Sequence, residues 1–117
     1  MGQPVLHFEI AGNDGPALQK YYDELFGWKT STHEASGYGM VDTQAGDKGI
    51  GGGIMTNPMG HQMVTFYVGV DDLADSLKKA EKLGGKTVLE PTKIPDGPDI
   101  ALFSDPEGNV VGIVSGM

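Results

Sequence analysis

The chain has 117 residues, no cysteine and a formal net charge of -8. That length suits one domain able to bury most of its apolar surface, and the missing cysteine excludes disulfides, thiolate metal sites and thiol nucleophiles together. The acidic balance argues against nucleic acid and anionic membrane surfaces, because phosphates would be repelled. No basic, apolar leader opens the sequence and no apolar run nears the ~20 residues that span a bilayer, so a soluble cytoplasmic protein is the expectation.

Val5–Ala11 alternates, with Val5, His7, Glu9 and Ala11 on one strand face and Leu6, Phe8 and Ile10 on the other. Asn13 or Asp14 can cap the helix that follows, Pro16 is tolerated in its first turn, and Gly27 supplies its left-handed stop. Leu18, Tyr21, Tyr22, Leu25 and Phe26 recur at helical spacing and are expected to form its packed face. Strands are predicted at Trp28–Ala35, Tyr38–Thr43 and Gly49–Thr56, with a turn at Ser36-Gly37 and a loop at Gln44–Lys48.

The pattern then repeats with a shift of 58 residues, so that His7 falls on Thr65, Glu9 on Tyr67, Asp14 on Asp72 and Gly27 on Gly85. Val64–Val70 reads as a strand, Asp71 or Asp72 caps a helix bearing Leu73, Leu77, Ala80 and Leu83, and Gly84-Gly85 ends it. Lys86–Ile94 is a strand that Pro91 assigns to an edge. Ile100–Ser104 and Asn109–Val114 form a hairpin across Asp105-Pro106-Glu107-Gly108, which suits a type I turn. The expectation is an α+β fold, one domain over residues 1–117 made of two repeats (4–56 and 63–115). Each repeat is a βαβββ unit, and the two form a curved eight-stranded cup lined by the faces away from the helices.

The twofold βαβββ order, the segment HFEIAGNDGPALQKYYDELFGW and the ending DPEGNVVGIV resemble the glyoxalase/bleomycin-resistance/extradiol-dioxygenase superfamily, also called vicinal oxygen chelate. The resemblance implies a cup-shaped site, frequent dimers and, in the enzymes, a divalent metal held from the first and last strands of each unit. It includes lyases, epimerases, dioxygenases, thiol transferases and proteins that only sequester a drug. His7 matches the first ligand position; the others fall on Thr65, on Gly112, and on Gly53 or Ile54, depending on the register of the fourth strand. A divalent ion needs three or more well-placed donors, so no metal or other cofactor is expected, although Glu9 could serve as a substitute ligand.

His7 and Glu9 on one strand face fit an acid/base pair, the remnant of a ligand site, or a histidine simply hydrogen-bonded inside the cup. Thr65 and Tyr67 could donate hydrogen bonds to a ligand or merely pack, and Met55 could line an adaptable apolar wall or fill core. The Gly49–Gly53 run, GIGGG, lacks the Lys-Ser/Thr ending of a phosphate loop and reads as room left in the cup. His33 and His61 are expected to be exposed. The reading that follows is a homodimeric protein that holds a small, partly apolar molecule through His7, Glu9, Met55, Thr65 and Tyr67. The alternative is a lyase or isomerase that works through His7 and Glu9, with or without a divalent metal.

Overall fold

Alternation and capping build the same series of elements twice in the computed structural model, which describes residues 2–117. The first series is β1 (Val5–Gly12), α1 (Gly15–Phe26), β2 (Lys29–Thr32), β3 (Gly39–Asp42) and β4 (Gly52–Thr56). The second is β5 (Met63–Gly69), α2 (Leu73–Lys82), β6 (Lys86–Lys93), β7 (Asp99–Ser104) and β8 (Val110–Ser115). The fold is thus α+β and carries two βαβββ units. By packing, residues 7–65 form one compact unit; the segment up to Leu6 joins Phe66–Met117 in the other.

In the first unit the strands run β2–β3–β4–β1, with β1 and β4 parallel and the remaining pairs antiparallel. In the second they run β6–β7–β8–β5, with β5 and β8 parallel. The two helices start alike. Asp14 accepts a hydrogen bond from Ala17 N and Asp72 from Asp75 N, each supplying one orphan N–H of a first turn. Gly27, at φ 72°, ends α1 in the left-handed conformation that glycine adopts at least cost.

The first core gathers Ile10, Val41 and Ile54, with Phe8, Leu18, Tyr22 and Trp28 packed around them. The second gathers Leu73, Leu77, Ala101 and Ile113, with Val68, Val70 and Phe103. In each unit the even-numbered side chains of the first strand, Phe8 and Ile10 or Val68, thus turn to the helix. The odd-numbered ones, His7 and Glu9 or Thr65 and Tyr67, turn to the other face.

Several boundaries shift from the expected ones. β2 stops at Thr32 because residues 33–38 close a turn, with Gly37 N donating to His33 O (2.8 Å) and His33 N to Tyr38 O (2.9 Å). β4 begins only at Gly52, and Gly46–Lys48 coil into a single 3₁₀ turn ahead of it. Pro91 falls where the pairing of β6 with β7 slips, between Leu89 and Thr92, on the outermost strand of its unit.

The packed face of α1 also differs from its apolar stripe. Its buried residues are Gly15 and Gln19, while Tyr21, Leu25 and Phe26 stand 59, 55 and 57% exposed. Gly15 brings the helix so near β4 that a Cβ there would lie 2.6 Å from Thr56 N. That close approach turns the 15/19 line toward the sheet and the 21/25 line away from it. Leu83, which caps the end of α2, is likewise exposed, outside the Leu73/Leu77 contact.

Candidate functional site

On the face of the first unit away from α1, the parallel pairing sets Glu9 beside Gly53 and Ala11 beside Met55, and the antiparallel pairing sets Met40 beside Gly53. His7 and Glu9 are both buried although polar, and Met55 is half-buried. They meet a third residue. Tyr38 lies between two glycines, at the end of the turn that closes β2 onto β3, and sends its side chain over this face.

Its hydroxyl donates to Glu9 Oε1 at 3.1 Å and lies 2.8 Å from His7 Nε2. A phenol has one proton to donate. With Glu9 as a carboxylate accepting that proton, His7 must present Nε2–H to the Tyr38 oxygen, which selects the tautomer. Burial pushes the His7 pKa below its ordinary value, so the ring is neutral near pH 7 and its one N–H in this arrangement is at Nε2.

The register also resolves where the fourth strand would bring a ligand. Gly53 pairs with Glu9 in the first unit as Gly112 pairs with Tyr67 in the second, so Gly53, not Ile54, is the counterpart of Gly112. Both positions are filled by tyrosine. A side chain on Gly53 would collide with the Tyr38 ring and hydroxyl, and one on Gly112 with the ring of Tyr67. Tyr67 packs over the glycine beside it in the sheet; Tyr38 arrives from a loop.

This geometry does not fit a tightly held divalent ion. His7 and Glu9 both bond the Tyr38 hydroxyl, Gly53 and Gly112 bring no donor, and among the described residues no three of His, Cys, Asp and Glu gather in one place.

Tyr38 depends on a residue that periodicity hides. The buried Gln19 carboxamide donates to Ile54 O (2.8 Å) and, more distantly, to Gly37 O (3.4 Å), and accepts from Thr32 Oγ1 (3.2 Å). It thereby ties α1 to β4, to the end of β2 and to the peptide just before Tyr38. Neither Gln19 nor Tyr38 stands out in the sequence as a site residue. Their only signals are a polar side chain one turn after a helix-entry glycine and a tyrosine in a Gly-Tyr-Gly triplet.

Thr65 and Tyr67 are buried on the corresponding face of β5, and His33 and His61 are exposed, as expected. A shallow depression of about 430 Å³ lined by Lys29, Ser31, Met40, Asp42 and Gln44 lies on the same face of the first unit. Another, of about 330 Å³, is lined by Gln3, Leu6, Asp71 and Ser115 among others, and contains none of the expected site residues.

A family model described as the glyoxalase/bleomycin resistance protein/dioxygenase superfamily matches residues 5–113. The chain belongs to that superfamily. Among its superfamily relatives, a glyoxylase-like domain-containing protein of Didymella fabae is 30% identical, over 93% of this chain and 94% of its own length. The Mycobacterium bovis protein CFP32 is 33% identical over 80% of this chain, which corresponds to only 37% of CFP32. Methylmalonyl-CoA epimerase from Mycobacterium tuberculosis shares the superfamily fold, with a TM-score of 0.66 at 13% identity, covering 97% of this chain and 87% of that one. A superfamily member from Vibrio splendidus matches with a TM-score of 0.64 at 13% identity, covering 97% and 99%. At such identities these structures carry the fold alone.

Proposed function

We propose that the chain binds a small, partly apolar molecule on the non-helix face of residues 7–65, without a resident metal ion or other cofactor. The observation that carries this reading is the Tyr38 hydroxyl, held by His7 and Glu9 beside the side-chain-free Gly53. A pocket that recognises small molecules combines apolar walls with a few convergent polar groups. Here Met40 and Met55 supply the walls, and His7 and Glu9, which converge on one hydroxyl, the polar groups. Thr65, within the same residues, is proposed as a further ligand contact, and Tyr67 as a ligand contact on the corresponding face of its own unit.

The test has two arms. Ligands found by thermal shift should lose affinity when His7→Ala is introduced, and protein purified without chelator should hold well below one equivalent of divalent metal. One equivalent in the native protein that disappears with His7→Ala would overturn the metal-free reading.

A second reading is an isomerase that moves a proton next to a carbonyl. It is favoured by a buried carboxylate, Glu9, joined through a hydroxyl to an imidazole, which is an acid/base arrangement. The epimerases that share the fold make this chemistry the natural one to assay. Incubating small thioesters and keto acids with the protein in D₂O and following loss of the α-proton signal tests it. Exchange no faster than buffer, or exchange that survives Glu9→Gln, would rule it out.

A further inference from the structure

Tyr38 is anchored at its far end. Residues 33–37, which carry it, are all exposed, whereas its hydroxyl ends between buried His7 and Glu9. Gly37 precedes it with φ 76°, a conformation open to glycine, and Gly39 follows it. The ring lies in the room that Gly53 leaves by having no side chain. From the side of His7 and Glu9, the group being held is a phenol: a flat ring whose hydroxyl donates one hydrogen bond and accepts another.

We infer that Tyr38 is a built-in occupant of this site and that the ligand is a small aromatic hydroxyl compound that displaces it. This rests on the reading that this face binds a ligand. A free phenol makes the same two bonds and lays its ring over Gly53, while the Tyr38 side chain swings out. Met40, next to Gly53 in the sheet, and Met55 offer thioether walls that adapt to substituents on the ring. Displacement is a competition inside one molecule. The apparent dissociation constant is the intrinsic one divided by the fraction of chains with Tyr38 swung out.

The probe is p-cresol, which is the tyrosine side chain as a free molecule. Titrations followed by NMR compare the native protein with Tyr38→Ala and Tyr38→Phe. Tyr38→Ala should bind p-cresol at least about tenfold tighter than the native protein, because no internal ring competes. Tyr38→Phe keeps the ring but loses both anchoring bonds, and should bind about five- to tenfold tighter. It also serves if the alanine variant folds poorly. Toluene should bind Tyr38→Ala about tenfold more weakly than p-cresol, and that preference should narrow when His7→Ala is added, which leaves only the bond to Glu9. Equal binding of p-cresol by all three proteins, no binding by any of them, or no preference over toluene would overturn the inference. A screening hit weakened by His7→Ala but indifferent to Tyr38→Ala would remove the built-in occupant and leave the binding site standing. Hits indifferent to both changes would remove the site.

Discussion

Replacing Gln19 should cost more than any substitution of the larger apolar residues on the outer line of α1. Its amide makes one short buried bond, to Ile54 O, and two longer ones, with Gly37 O and Thr32 Oγ1. A typical intramolecular hydrogen bond contributes about 1 kcal/mol net, and a buried carbonyl left without a partner costs about 1–3 kcal/mol. Gln19→Met nearly preserves volume, so it isolates the polar contribution, which should amount to about 2 kcal/mol. Gln19→Glu should cost more, since a carboxylate would face two carbonyl oxygens in a buried place. For a domain of this size, 2 kcal/mol corresponds to a Tm lower by about 8 °C. Urea unfolding is the assay, read as a fall in the midpoint at constant m. Leu25→Ala, on the exposed line, should lose about 0.5 kcal/mol or less. If Gln19→Met proved as stable as the native protein, the argument that α1 is fastened by its carboxamide would be wrong.

The His7 pKa is depressed in the folded state, so the unfolded chain binds the extra proton first. Its contribution to stability is therefore complete above about pH 6.5, the unfolded value, and is lost as pH falls through the lower folded value. Urea midpoints at pH 7.5 and 5.5 should show this decline, and His7→Gln should flatten it; an unchanged slope would refute the assignment. Gly112→Ala places a methyl group against the Tyr67 ring and should destabilise by about 1–3 kcal/mol in thermal unfolding. Gly53→Ala should instead shift Tyr38, which shows as a changed Tyr38 ring signal by NMR. A homodimer is expected, with Tyr21, Leu25 and Phe26 as apolar surface for it to cover; light scattering at micromolar concentration should give about twice the chain mass.

What was legible in the sequence is what depends on neighbours along the chain. The pairs Asn13-Asp14 and Asp71-Asp72 announce their helices, Gly27 announces a stop, and the alternation of Val5–Ala11 assigns His7 and Glu9 to the face away from the helix. The β2–β3 region was less legible because residues such as Thr32 and His33 suit a strand or a turn equally. The hydrogen bonds of the turn, which the sequence does not display, decide between them. Gln19 was hidden for a related reason. Hydrophobic periodicity selects positions by polarity, and a glutamine that satisfies backbone carbonyls from distant segments looks like a solvated one. In the sequence Tyr38 reads as the first residue of a strand. Only the pairing of β3 with β4 brings it over Gly53 and makes it a member of the site.

The opening of β1 has a consequence for the order in which the protein assembles. Pro4 O accepts a hydrogen bond from Gly69 N (2.8 Å), and Leu6 packs against Gly69, more than half the chain length away. Closing a loop of that size costs about 4 kcal/mol of chain entropy. The cost cannot be offset until β5 has formed. On a ribosome, residues 7–65 emerge as one compact unit, whereas the segment just before them must wait for Gly69 before its bonds can be made. Pulse-labelled hydrogen exchange during refolding should therefore protect amides of β3 and β4 before that of Gly69. The segment just ahead of residue 7 would then be made before its partner strand and settle after residues 7–65.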